Sequence, residues 1–276
     1  MNKTIPISDG GLLLSIAKEK PAEAYQAPLK AIVADILETL GPKNVRSIVL
    51  RGSVACHTDL PGISDLDLVI FLRDHSDEAC AQLEALAARE TERWRALVPL
   101  VDLSCERFDR LTTDIFYNRL YLNLKLTGIT LWGEDLIALL PDIAFDRALA
   151  GRIARQTWLE SLQTFRLISR KQTVPFMGES RGCDFLCVWF MRSFCRGLIA
   201  MVMLKRRIFS LHVQTCADLF GEQFPQYAPL AKRCRELECA PTKDWEQLAA
   251  TAAEALRAYE ALCGELSLEE VIYGAE

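Results

Sequence analysis

The stretch Val45–Leu72, VRSIVLRGSVACHTDLPGISDLDLVIFL, constrains what this chain can fold into more than any other. It reads as a strand, a glycine turn, a loop or short helix, and a second, buried strand. Gly52 and Ser53 follow Ile48-Val49-Leu50-Arg51, so a turn with a free hydroxyl leaves the end of a strand, where clustered N–H groups can cradle a phosphate. Asp65 and Asp67 stand two apart at the start of the second strand, and the period of two puts both carboxylates on one face. Two carboxylates on one side of a buried strand repel each other and lose hydration, so the pair calls for a cation or a catalytic task. A divalent metal fits best.

The succession of Gly52-Ser53 and then Asp65-x-Asp67 flanked by hydrophobic residues resembles the signature of the DNA polymerase β-type nucleotidyltransferase superfamily. The resemblance implies a third carboxylate from a later strand, and Asp102 in Leu97-Val98-Pro99-Leu100-Val101-Asp102-Leu103 is the matching position. It also implies transfer of a nucleoside monophosphate from an NTP, taken as ATP, to an acceptor hydroxyl, with pyrophosphate leaving. In that chemistry two Mg2+ ions about 3.5–4 Å apart stabilise the attacking and leaving oxygens. Asp65 and Asp67 would bridge the metals, and Asp102 would complete the acceptor-side site as a ligand or as the general base. Gly52 and Ser53 would hold the β- and γ-phosphates. The family's phosphate turn often carries an arginine soon after the serine, whereas Ala55-Cys56-His57 stands here. Another cation must therefore face the triphosphate. Arg51, Lys125, Arg192 and Arg196 are the candidates, the last two being four apart on one face of an apolar helix. The alternative for that pair is an internal salt bridge with Glu160, Glu179 or Asp184.

A length of 276 residues suggests two domains. Pro21-Ala22-Glu23 opens a helical pattern that Gly41-Pro42 stops, and Pro61-Gly62 breaks the chain before the Asp-x-Asp strand. Ser76 to Leu97 reads as a second helix with Glu90 the one exception on its apolar face, Leu111 to Leu126 as a third, and Gly128 to Gly133 as a short strand that extends the sheet. After Pro141-Asp142 the pattern is helical almost throughout, over 143–170, 181–207, 215–220, 225–238 and 242–264, with Gly178 and Gly182 in the first gap. The expected fold is α+β: a small mixed β-sheet nucleotidyltransferase domain over 1–141 followed by an all-helical bundle domain over 142–276 that binds the substrate. This layout is similar to that of the antibiotic nucleotidyltransferases of the aminoglycoside or kanamycin type, in which the helical half helps to hold the acceptor. Layout alone does not fix a substrate.

A formal net charge of −5 and a pI near 5.4 give no overall basic field, which disfavours long nucleic acid as a partner. The apolar stretch Leu186 to Leu204 carries Arg192 and Arg196, which are expensive inside a bilayer, so it reads as a buried helix and no membrane is expected. Leu12 to Ile16 is too short for a signal-peptide core. The ten cysteines lack Cys-x2-Cys spacing and sit mostly at apolar positions, so they read as reduced, buried thiols of a cytoplasmic protein. The expected acceptor is a small molecule held between the domains, where Glu134, Asp135, Glu160, Glu179 and Asp184 would suit a polycation. Nucleotidyl transfer to a protein or RNA target, or a non-catalytic regulatory role on the same fold, is the alternative, and a homodimer is left open. His57 reads as a surface-loop residue, Trp132 and Trp189 as core, and Glu134-Asp135 as a helix N-terminal cap.

Overall fold

The computed structural model describes residues 4–59, 64–176, 179–268 and 272–273. The expected breaks at Pro61-Gly62 and Gly178 lie outside the described residues. The chain divides into two compact units, Leu14–Asp142 on its own and Met1–Leu13 together with Ile143–Glu276.

The first unit contains α1 (Glu23–Leu40), β1 (Val45–Arg51), β2 (Leu66–Leu72), α2 (Asp77–Trp94), β3 (Val101–Glu106), α3 (Asn118–Thr127) and β4 (Ile129–Gly133). Its sheet has the order β3-β2-β1-β4, with β1 antiparallel to β2 and β4, and β3 parallel to β2. A parallel neighbour cannot be reached by a tight turn, and α2 supplies the crossover. Alternation along the strands sends Ile48 and Leu50, Leu66, Leu68 and Ile70, and Val101 and Leu103 into one buried core with Ile32 and Ile36 of α1 and Leu83 and Leu86 of α2. The alternate residues Asp67, Val69 and Phe71 are thereby turned to the opposite face. A slip of one residue would drive Asp67 into that core, so burial of the apolar row sets the register on which the site depends.

Local chemistry explains the element ends. Ser76 caps α2 by accepting the N–H of Ala79, with Asp77 and Glu78 in the positive first turn. Glu90, the exception on its apolar face, is fully buried and accepts the indole N–H of Trp94 at 3.0 Å while Arg93 lies 3.4 Å away. The helix expected from Leu111 begins only at Asn118. It is preceded by single 3-10 turns at Phe108–Arg110 and Ile115–Tyr117. The Asp114 carboxylate takes the N–H of Phe116 at 2.9 Å and pairs with Arg110, offering the backbone a turn in place of a helix.

The second unit holds α4 (Arg147–Ser169), β5 (Val174–Phe176), β6 (Glu179–Arg181), α5 (Cys183–Gly197), α6 (Ile199–Met203), α7 (Val213–Gln223), α8 (Ala228–Cys239) and α9 (Trp245–Glu265). The antiparallel β5-β6 pair corrects the all-helical expectation for this half. Three-residue strands are too short for period two to register in a sequence. Cys183–Met203 is long and apolar enough to cross a membrane by length and composition, yet 72% of its most apolar window is buried within the protein, as in a core helix. Phe194 of α5 packs on Phe190 and on Tyr259 of α9, with ring centroids 6.0 and 5.7 Å apart. The expectation that Trp189 is core fails: it is 48% exposed, with its ring edge on Phe185. The expected 141/142 division places the N-terminal residues in the first domain, whereas they contact the second unit. Leu13 N–H donates to the carbonyl of Ile143 at 2.9 Å, and Ile5 N–H to that of Phe209 at 2.9 Å.

Candidate active site

Three consecutive strands meet in one row of charged residues. Arg51, the last residue of β1, is the register partner of Asp67 on β2, and Asp67 is the partner of Asp102 on β3. Partners in a pleated sheet share a face and neighbouring strands lie only about 4.8 Å apart, so the register alone sets the carboxylates side by side. Arg51 Nη2 lies 3.4 Å from Asp67 Oδ1 and 3.6 Å from Asp102 Oδ2. Asp65 stands one residue ahead of β2 rather than in it, and is close enough to act on Asp102 electrostatically.

The Asp102 carboxyl is raised above the usual carboxylate range, first by burial, then by Asp67; Arg51 opposes the shift and Asp65 adds to it. Asp67 and Asp102 share the Arg51 guanidinium, and an all-oxygen donor set suits a hard divalent cation. The residues present therefore fit the magnesium that the sequence resemblance implies.

The turn after β1 is shaped around the same carboxylates. Gly52 has φ +82°, its N–H donates to Thr127 Oγ1 of α3 at 3.1 Å, and a Cβ there would stand 2.8 Å from Asp67 Oδ2. A side chain at this position is thus strained by conformation and would push the Asp67 carboxylate aside. We expect Gly52→Ala to cost about 1–2 kcal/mol of stability from the left-handed backbone and to displace Asp67. Chemical denaturation and nucleotide-binding measurements on the same preparation check both effects. The Ser53 carbonyl closes the next turn by accepting the N–H of Cys56 at 3.2 Å and of Thr58 at 2.9 Å. Outside contacts hold the loop. The Ala55 carbonyl accepts the N–H of Lys18 at 3.0 Å, and the Tyr25 hydroxyl donates to Asp59 at 2.9 Å. Burial together with Asp59 pushes the Tyr25 phenol up to about 12. His57 is exposed, with a ring nitrogen 2.8 Å from the Lys20 carbonyl.

Sequence reasoning missed Glu106. It is the register partner of Phe71, so it shares the face of Asp67 and Asp102. Burial raises its pKa, while a hydrogen bond from Tyr117 and the charge of Arg51 lower it. The alternation Asp102-x-Ser104-x-Glu106 was the available signal.

The other cations expected at a triphosphate have different surroundings. Lys125 donates to the Leu140 carbonyl at 2.7 Å and lies 3.2 Å from Asp142. Arg192 and Arg196 are on α5 in the other unit, and Arg192 Nε donates to Glu238 of α8 at 2.7 Å rather than to any of the acids first considered for it. Glu160 accepts from Gln156 at 2.7 Å and from Ser193. Glu134 is held by Arg46 at 2.9 Å and Arg73 at 2.7 Å, which satisfies its charge within the first unit. Asp135 accepts from the Thr130 hydroxyl at 3.0 Å and the Ala138 N–H at 3.4 Å, capping a turn rather than the expected helix. A cleft of about 530 Å³ is lined by Arg46, Arg73, His75, Arg107, Phe108 and Glu134 among others. It lies at the Leu72 end of β2, about 17 Å along the strand from Asp67, and none of the carboxylates of the row belongs to its walls.

Residues 30–122 match the family described as Nucleotidyltransferase domain, a span that contains Arg51, Gly52, Ser53, Asp65, Asp67 and Asp102. No curated protein matches the sequence. Among solved structures the chain is similar to spectinomycin adenyltransferase AAD(9) from Enterococcus faecialis with ATP and spectinomycin, at a TM-score of 0.54 and 14% identity, over 84% of this chain and 98% of that one. At that identity the likeness is one of fold. Residues 30–122 thus resemble the nucleotidyltransferase family model, and the chain shares an α+β fold with the spectinomycin adenyltransferase structure.

Proposed function

We propose that this protein transfers a nucleoside monophosphate from an NTP, ATP foremost, to a hydroxyl of a small molecule in a magnesium-dependent reaction that releases pyrophosphate. The observation that carries the reading is the Arg51–Asp67–Asp102 row, with Asp65 beside it and Gly52 packed against Asp67. Asp65, Asp67 and Asp102 would hold the magnesium, which when bound neutralises phosphate charge and polarises the reacting oxygens. Asp102 would take the acceptor proton. Its side chain is 43% exposed on the edge strand, and its surroundings raise its basicity. The Gly52-Ser53 turn would hold the β- and γ-phosphates through the Ser53 N–H and hydroxyl, with the Gly52 N–H tying the turn to Thr127. Arg51 spans Asp67 and Asp102 and keeps the two carboxylates oriented before substrate arrives.

A small acceptor is supported by the spectinomycin named with the solved neighbour. The polycation argument is weakened at Glu134, whose charge Arg46 and Arg73 already satisfy. The test is incubation with labelled NTPs, Mg2+ and a panel of acceptors that includes spectinomycin, several aminoglycosides and the protein itself, followed by mass measurement of the product. A small molecule that gains a nucleoside monophosphate supports the proposal. Nucleotide on the protein alone would move the acceptor to a polypeptide, and the absence of both transfer and magnesium-dependent NTP binding would overturn the reading.

A further inference from the structure

The crossover from β2 to β3 brings a second set of ligand atoms together, away from the carboxylates. α2 returns the chain to a parallel strand, so its first turn lies beside the far end of β3. There Cys80 of α2 meets Cys105 of β3, and His75 stands on the turn just before the Ser76 cap. The three ligand atoms lie within 4.8 Å of one another, and Cys80 Sγ is 3.6 Å from His75 Nε2. A tetrahedral zinc with Zn–S near 2.3 Å and Zn–N near 2.0–2.1 Å separates sulfur from nitrogen by about 3.6 Å and two sulfurs by about 3.8 Å. Cys80 and Cys105 are half-buried and His75 is exposed, so the ligands are fixed on one side and open to solvent on the other.

We propose that His75, Cys80 and Cys105 form a binding site for a thiophilic divalent cation, Zn2+, that ties the start of α2 to the edge strand β3. Thiolate and imidazole donors select zinc over magnesium, so the site differs in chemistry from the all-oxygen carboxylate row. Two thiolates and a neutral imidazole balance the dication. The two thiol protons leave to solvent on binding, and water takes the fourth position. Cys105 also faces the core side of the sheet, opposite to Asp102, and is about 10 Å further along β3. The sequence hides this set because the two cysteines are distant in the chain and show no Cys-x2-Cys motif.

The test uses the full chain, reduced with a phosphine, stripped with chelator and titrated with Co2+ and then Zn2+. One equivalent of Co2+ should produce a thiolate-to-cobalt charge-transfer band that Zn2+ abolishes, and Zn2+ should raise the thermal unfolding midpoint. Cys80→Ser, Cys105→Ser and His75→Ala should each weaken binding by more than about 100-fold. Cys239→Ser, at an exposed thiol on α8, should leave it unchanged. The absence of a thiolate-to-cobalt band in the reduced wild type, or its persistence in the Cys80→Ser, Cys105→Ser double variant, overturns the site. Magnesium-dependent NTP binding by folded Cys105→Ser should match wild type, so failure here and failure of the transferase reading are separable.

Discussion

Asp67→Ala should abolish magnesium-dependent NTP binding and lower nucleotidyl transfer by about 10³-fold or more, roughly 4 kcal/mol of transition-state stabilisation. Asp67 is the middle of the row: it neighbours Asp102 in register, faces Arg51 at 3.4 Å and touches the position a Gly52 side chain would fill. No other residue on β2 shares that place. The fold should survive, because the core beneath the strand is built from Leu66, Leu68 and Ile70 on the opposite face. Removal of one of several mutually repelling carboxylates should leave the unfolding midpoint in metal-free buffer no lower than that of wild type. The measurement is isothermal titration with a non-hydrolysable triphosphate beside a thermal melt. A folded Asp67→Ala protein that transfers nucleotide at the wild-type rate would sink the assignment.

Asp102→Asn should cost about 10²–10⁴ in rate while changing NTP binding far less, because proton removal matters only once an acceptor is present. A second readout comes from stability. The Asp102 pKa is raised in the folded protein, so the folded state binds the proton more tightly than the unfolded one. Its contribution is present below the unfolded carboxylate pKa and is lost as pH rises through the folded value. In metal-free buffer Asp102→Asn should therefore be more stable than wild type at neutral pH, with the difference shrinking toward about pH 4. With the side chain 43% exposed, solvent screening keeps the effect small. A pH series of melts on both proteins checks the sign. Equal turnover by the variant would make Asp102 structural, and Glu106, on the same face of β3, would be the next carboxylate to test.

The strands were legible wherever a local signal was strong. The apolar alternation around Leu66–Leu72 and the run Val45–Arg51 mark β2 and β1 at their observed bounds. The start of α3 was not legible, since Asp114 turns the backbone before Asn118 and the apolar spacing continues through the turn. β5 and β6 are too short to carry a period, and their pairing is a contact between segments rather than a property of either. Glu106 was readable by alternation and was missed. The partner of Arg192 was not readable, because Glu238 lies on another helix, 46 residues away in the chain.

The sequence by itself determined which faces exist: period two places Asp67 opposite the apolar residues of β2, and the demand for φ +82° beside the Asp67 carboxylate is written as glycine at position 52. Tertiary structure decided which faces meet. Asp102 comes beside Asp67, with Arg51 in reach of both, only through a register that burial of Leu66, Leu68, Val101 and Leu103 sets across three strands. The same crossover brings Cys80 to Cys105. Periodicity is a property of neighbours along the chain, whereas register is chosen by the free energy of burying a whole apolar face at once, which no single segment contains.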